Sequence, residues 1–314
     1  MLDRTSADRR WAVCLLLFAW AALTLPFWRA FSSVVRLSLQ DERYSHLIVI
    51  PLFSVGLLVL EGRRIFPQRR LASGFGALLL AMAALAYCVA RPWSQESGAA
   101  GQLWLSTLAL VAAWIAAFAF LNGRESTAAA IFPLCVLLLM IPVPASFMDR
   151  CVVGLQKASA EVTYVIFKIL GTPVLRHGFT FALPGVNIEI AEECSGIHST
   201  IALLLTGILA AHLFLRSSVA QIGMIFLTIP VAIFKNAVRI VTLSWLSVYV
   251  DRGILDSPLH HRGGAIFGVI GLAILVPLLL LLRKVEARAR IVRQPQGAST
   301  KDFPLPAAKL PKGA

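Results

Sequence analysis

The sequence predicts an all-α integral membrane protein, a polytopic bundle of about eight transmembrane helices with a small extracytoplasmic hairpin and an amphipathic helix. Three observations point there. Hydrophobic residues make up 58% of the 314 residues and charged residues only 14%, where a soluble domain holds roughly 25% charge to meet water over its surface. The mean hydropathy is +0.78. The charges also fall between long apolar runs, as expected when lipid is the solvent.

A spanning helix needs about 20 mostly apolar residues. Runs near 11–28, 46–60, 71–90, 103–121 and 127–143 supply five, and 195–215, 218–235 and 264–282 supply three more. The run 46–60 is short and calls for flanking residues to snorkel. The first run ends in Leu25-Pro26-Phe27-Trp28-Arg29 with no small-residue cleavage site, so it reads as a retained span rather than a signal peptide. The loop 61–70 holds Arg63, Arg64, Arg69 and Arg70, and the chain after Leu282 is strongly basic. Both then face the cytoplasm, which puts both termini inside and 144–194 outside.

Residues 236–250 are apolar enough to count as a ninth span, but nine spans would carry the basic tail outward. The segment is therefore expected to continue from the seventh span along the outer surface, placing Arg239 at the outer interface. Residues 147–169 show helical spacing interrupted by Asp149, Arg150, Lys157, Glu161 and Lys168, which suits a helix at the membrane surface. Residues 173–190 alternate around Pro184-Gly185 and read as a hairpin. The chain thus divides into one polytopic unit, 1–283, and a basic, disordered cytoplasmic tail, 284–314.

The formal net charge of +13 would raise nucleic acid as a partner for a soluble protein. Here Arg and Lys flank apolar runs, which fits anchoring against the lipid bilayer, and no nucleic-acid partner is expected. Cys14, Cys88, Cys135, Cys151 and Cys194 are scattered without a C-x-x-C. No metal, redox centre or organic cofactor is called for. The spacing also leaves a Cys151–Cys194 pairing open.

Cys194 stands apart, because Ala191-Glu192-Glu193-Cys194-Ser195-Gly196-Ile197-His198 leads straight into a span. The N-terminal end of a helix favours a thiolate, the form that attacks carbonyls. Glu192 and Glu193 oppose that, so a compensating cation is needed. Arg239, His260 and His261 fall on the same face in this threading. Together they offer a nucleophile, a proton shuttle and an oxyanion or carboxylate clamp. His198 is a rival base, one helical turn beyond Cys194. Taken singly these residues have duller readings: a packed thiol, a snorkelling arginine, a solvated histidine turn. Only their joint placement suggests an enzyme.

At these residues the chain resembles the exosortase/archaeosortase family of membrane cysteine transpeptidases. Glu193-Cys194-Ser195-Gly196-Ile197 is similar to the family's nucleophile motif, and Asn236-Ala237-Val238-Arg239-Ile240, with Pro230 upstream, to its Asn-x-x-Arg segment. His260-His261-Arg262-Gly263-Gly264 resembles its His-x-x-x-Gly segment if His260 is the family histidine. Tyr44-Ser45-His46, Pro51 and Arg63-Arg64 resemble the N-terminal region. So do Ile141-Pro142-Val143-Pro144, Gly171-Thr172-Pro173 and Arg176-x-Gly178 for the middle of the chain. The likeness covers about 40–282. His198 departs from the family, which often has another polar residue there, such as Arg, and the doubled histidine leaves the register open between His260 and His261.

The resemblance implies a catalytic set of Cys194, Arg239 and His260, with Asn236, Glu193 and Ser195 in substrate-binding or supporting roles. It implies exported protein substrates with a C-terminal transmembrane sorting signal of Pro-Glu-Pro type, handled at the outer face of the cytoplasmic (inner) membrane and linked with exopolysaccharide systems. A transporter is the first competing expectation, disfavoured because the ionisable groups collect at one surface and no internal repeat is found. A non-catalytic scaffold of an exopolysaccharide assembly system is the second.

Overall fold

The computed structural model describes residues 2–66, 73–96, 98–184, 186–190, 196–250 and 264–293. Helix α1 (Leu2–Thr24) leads into α2 (Trp28–Gln40), and the apolar part of α1 meets α2 at 97°. The bend sits at Leu25-Pro26-Phe27, where proline removes a helix donor and restricts the residue before it. A 3-10 turn (Glu42–Tyr44) precedes α3 (Ile50–Leu60) and the short α4 (Gly62–Ile65). Then come α5 (Ser73–Glu96), α6 (Gly98–Ala129) and α7 (Ile131–Val136), which tightens into a 3-10 turn (Leu137–Met140). Pro142 and Pro144 end that helical run, and α8 (Ala145–Ile169) leaves it at 95°. Three strands follow, β1 (Leu175–His177), β2 (Thr180–Leu183) and β3 (Val186–Glu189), and then α9 (Ile197–Phe214), α10 (Ser218–Tyr249) and α11 (Gly264–Arg293).

The chain is an all-α polytopic membrane protein. Five described helical stretches are long and apolar enough to cross a bilayer: Gly74–Glu96, Gly98–Ala129, Ile197–Phe214, Ser218–Tyr249 and Ile266–Ala289. There are up to seven if each bent pair, α1 with α2 and α7 with α8, is one span. The expected span 46–60 corresponds to α3, which at 11 residues reaches only about 16 Å, well short of a hydrocarbon core of roughly 30 Å.

Three clusters hold these helices together. The largest joins α1, α3, α6 and α7 through Leu16, Trp20, Ile50, Leu57, Trp114, Phe118 and Leu137. At its heart the Trp20 and Trp114 rings stack with centroids 5.1 Å apart. Each indole N–H donates to the other residue's carbonyl, at 2.9 and 3.1 Å, so neither polar handle is left bare in an apolar core. A second cluster packs α9, α10 and α11 through Leu203, Met224, Val231 and Leu275. The third seats the sheet between α8 and the last third of α10, through Phe167, Phe181, Leu183, Ile188, Ile240 and Val241.

Three expectations change. Residues 236–249 do not run along an outer surface; they continue α10 as one helix of 32 residues. Their Ala237, Ile240, Val241, Leu243, Ser244 and Ser247 are buried. The segment forms no separate helix, and α8 and the sheet pack over it. The break expected between the runs 103–121 and 127–143 falls at Gly123, whose backbone is non-helical (φ 81°, ψ 176°), so that two helices meet at a kink within α6. The expected hairpin is a three-stranded antiparallel sheet in the order β1-β2-β3. Its extra turn is made at Gly178 (φ 63°), whose carbonyl accepts from Arg176 Nε at 2.9 Å. The Arg176-x-Gly178 pattern is thus a turn device. Finally, α9 starts at Ile197 after a left-handed Gly196 (φ 67°, ψ 22°). The helix therefore does not extend back through Gly196, and Cys194 lies outside the described residues.

Candidate functional site

Of the residues that the sequence singles out, the described ones are Asn236, Arg239 and His198. Cys194, with its neighbours Glu192, Glu193 and Ser195, lies outside the described residues, as do His260 and His261. The described residues on either side of 191–195 are held by the scaffold. On the entry side, Ile190 N–H donates to Phe179 O at 3.0 Å, and the buried Gln156 of α8 donates through Nε2 to Ile190 O at 3.2 Å. On the exit side, Gly196 O accepts from Thr200 N–H at 2.8 Å and from Ser199 Oγ at 3.0 Å.

Gly196 is also pressed against α10. A Cβ built on it would lie 2.5 Å from Asn236 Oδ1 and 2.9 Å from Asn236 Cγ. Only glycine takes both this left-handed conformation without a steric penalty and this close approach. Asn236 is 1% exposed, and its Nδ2 donates to Ser159 Oγ of α8 at 3.1 Å. Three elements distant in sequence, α8, α9 and α10, therefore close on one another at the residue two past Cys194.

Arg239 lies three residues after Asn236 and four after Lys235, on one face of α10. It is 9% exposed and Lys235 is 1% exposed. A cation placed at mid-bilayer costs about 2.5–3.5 kcal/mol on insertion scales. From Ser218, Arg239 lies roughly 31 Å along the helix, near the far limit of a hydrocarbon core, so protein rather than lipid surrounds it. Lys235 Nζ donates to Ser199 Oγ, whose own proton goes to Gly196 O. Lys235, Ser199, Ser159 and Gln156 escaped the sequence reading. The one signal available in the sequence is Lys235 itself, a charge inside an apolar run.

His198, the rival base, is exposed on the first turn of α9 and faces the 3-10 turn. Its Nδ1 is 2.6 Å from Ser45 Oγ and 3.4 Å from Glu42 O. Ser45 gives its single hydroxyl proton to Glu42 O at 2.8 Å, so Nδ1 carries the hydrogen in the Ser45 contact, and Nε2 is left as the acceptor nitrogen. The structure ties His198 to Ser45 and Glu42 and Asn236 to Gly196. It adds Tyr44, whose hydroxyl donates to Val143 O at 2.9 Å, and Arg43, which bridges Asp41 and Asp149 at 2.8 and 2.9 Å. The Tyr44-Ser45-His46 and Ile141–Pro144 segments, both read as resemblance motifs, thus brace the same end. Among the described residues, no three of His, Cys, Asp and Glu come together as metal ligands would.

No curated protein and no solved structure matched the chain. A family model described as transmembrane exosortase matches residues 28–277, a stretch that includes each braced segment, Gly196, Lys235, Asn236 and Arg239. The chain belongs to the transmembrane exosortase family.

Proposed function

We propose that the chain is a membrane cysteine protease or transpeptidase that processes exported proteins bearing a C-terminal transmembrane sorting signal, of the Pro-Glu-Pro type handled by the family. It acts at the extracytoplasmic face of the cytoplasmic membrane, in service of exopolysaccharide systems. The observation that carries the reading is the contact of Gly196 with Asn236, one helical turn from buried Arg239. It brings the end of the cysteine motif to the Asn-x-x-Arg motif.

In this mechanism Cys194, as thiolate, attacks the scissile carbonyl. The Arg239 guanidinium donates to the oxyanion that develops, a contribution of about 10²–10³ in rate for a single donor in known acyl-transfer sites. The C–N bond breaks, the C–S bond forms, and the leaving amine takes a proton from His260 or His261. The same imidazole then removes a proton from water or an acceptor nucleophile, which attacks the thioester and restores the thiolate. The bilayer confines enzyme and helix-anchored substrate to two dimensions, which offsets part of the entropy cost of their encounter.

The test is mass spectrometry of membranes from cells expressing the wild-type or Cys194→Ala chain. Exported proteins should show a C-terminal helix that is removed only in the wild type, with helix-bearing precursors accumulating in the variant. Unchanged C-termini, together with an unchanged phenotype in the variant, would leave a scaffold as the better reading.

A further inference from the structure

We propose that the end of the bundle opposite Gly196 carries a binding site for one anionic phospholipid, with the headgroup phosphate between Arg216 and Arg283 and the acyl chains against Phe214, Leu280 and Val276. The site is separate from the one at Gly196 and does not rest on its chemistry.

The geometry starts from how three helices meet. Helix α9 ends at Phe214, and α10 starts at Ser218 after a short turn. Helix α11 runs beside α9, and its Leu275 and Leu279 pack in one cluster with Leu203, Ala211 and Leu215. Arg283 of α11 comes to lie over the Phe214 ring, with its guanidinium carbon 6.0 Å from the centroid. Three residues further, each carboxylate oxygen of Glu286 accepts from the Arg216 backbone N–H at 3.2 Å. The acid beside the two arginines is thus turned onto the backbone of the turn. The Arg216 and Arg283 side chains are exposed, and among the described residues neither forms an ion pair. Lys284 and Arg288, on the next face of α11, are exposed as well. Across α9 the pattern recurs: His212 takes Glu61 at 2.6 Å, and Arg63 and Arg64 after it are left exposed.

Depth decides what such a cluster binds. The apolar stretch of α11 begins at Ile266, and Arg283 lies about 26 Å further along the axis. That is close to the edge of a hydrocarbon core of roughly 30 Å, where the lipid phosphates begin. Val276 and Leu280 precede Arg283 on its own face of the helix. Both are large apolar side chains left exposed, as is Phe214. Cations above an apolar face match the two parts of a lipid, and the planar guanidinium fork suits a phosphate. A nucleic acid or a soluble phosphate would meet only the first part.

The test is native mass spectrometry of the full chain in detergent, titrated with phosphatidylglycerol or with phosphatidylcholine of the same acyl chains. The parent should hold one phosphatidylglycerol where phosphatidylcholine is already lost. Each cation at a charged lipid surface contributes about five-fold in affinity. Arg216→Gln combined with Arg283→Gln should therefore weaken phosphatidylglycerol about 25-fold and leave phosphatidylcholine unchanged. Arg150→Gln, on α8, should match the parent. Equal retention of the two lipids by the parent overturns the proposal, and so does a folded double variant that keeps the preference. Should the double variant not fold, each single variant is expected to lose about five-fold, and parental affinity in both overturns it too. Inorganic phosphate in excess should not displace the lipid; displacement would reduce the site to a simple anion site and overturn the lipid assignment.

Discussion

Replacing Gly196 with alanine probes the contact on which the functional reading turns. Two costs combine. A side chain in the left-handed region costs about 1–2 kcal/mol, and Gly196 sits there at φ 67°. The new Cβ would also lie 2.5 Å from Asn236 Oδ1. Asn236 cannot yield freely, because it is buried and donates to Ser159, and overpacking of this kind costs about 1–3 kcal/mol. The sum is a loss of about 2–5 kcal/mol. Gly178 is an internal control, with φ 63° and nothing within 4 Å of its would-be Cβ, so Gly178→Ala should show only the backbone cost. Unfolding free energies in mixed micelles compare the two. The excess at Gly196 should shrink in an Asn236→Ala background, the signature of a direct contact in a double-mutant cycle. Equal costs at the two glycines, or an excess that survives removal of Asn236, would refute the close approach of α9 and α10.

Two further outcomes follow from the 3-10 turn. Neutral His198 should be the Nδ1–H tautomer by ¹⁵N NMR, and Ser45→Ala should release that preference; an Nε2–H tautomer in the parent would contradict the Ser45–Glu42 arrangement. The Arg43 guanidinium, which donates to both oxygens of Asp41, holds that carboxyl below its usual value. A carboxyl lowered in the folded state contributes stability above its ordinary pKa and loses it as pH falls through the folded one. Acid unfolding should therefore show a loss setting in below about pH 4 that Asp41→Asn lacks; identical acid profiles would remove the pair from the account of stability.

The spans were legible because lipid leaves few options. The long runs of α5, α6, α9, α10 and α11 announce themselves as apolar stretches between charges, while Ile50–Leu60 is apolar but too short to cross alone. The course of 236–249 was not legible, since its covering comes from α8 and a sheet that precede it by dozens of residues in the chain. Arg239 and Asn236 stood out as polar groups at the edge of an apolar run. Lys235 stood out equally, yet sequence gives a charge's place along a helix and not what packs over it. The Ser45–His198 contact joins residues 153 apart, and no local pattern marks such a pair. The turn at Arg176-x-Gly178 could be recognised as a motif, while its hydrogen bond, and hence the third strand, depends on a glycine at positive φ that composition alone does not reveal.

The distribution of buried charge fits the proposed enzyme better than a transporter. A transport pathway strings ionisable side chains through the thickness of the bundle, where each lies near the next. Among the described residues, Lys235 and Arg239 are the charged side chains that are buried, and they stand one turn apart at the Gly196 end. The nearest rival, the His212–Glu61 pair at 2.6 Å, lies at the opposite end of α9. Between them the buried residues of α9 are Leu203, Gly207 and Ala211, which offer no station to a charge or a proton. The buried polar groups near Arg239, namely Asn236, Ser159 and Gln156, each bond to a neighbouring element and so fix the bundle's end in place. Fixed donors serve a reaction whose charge develops at one point, and a pathway would need them to move.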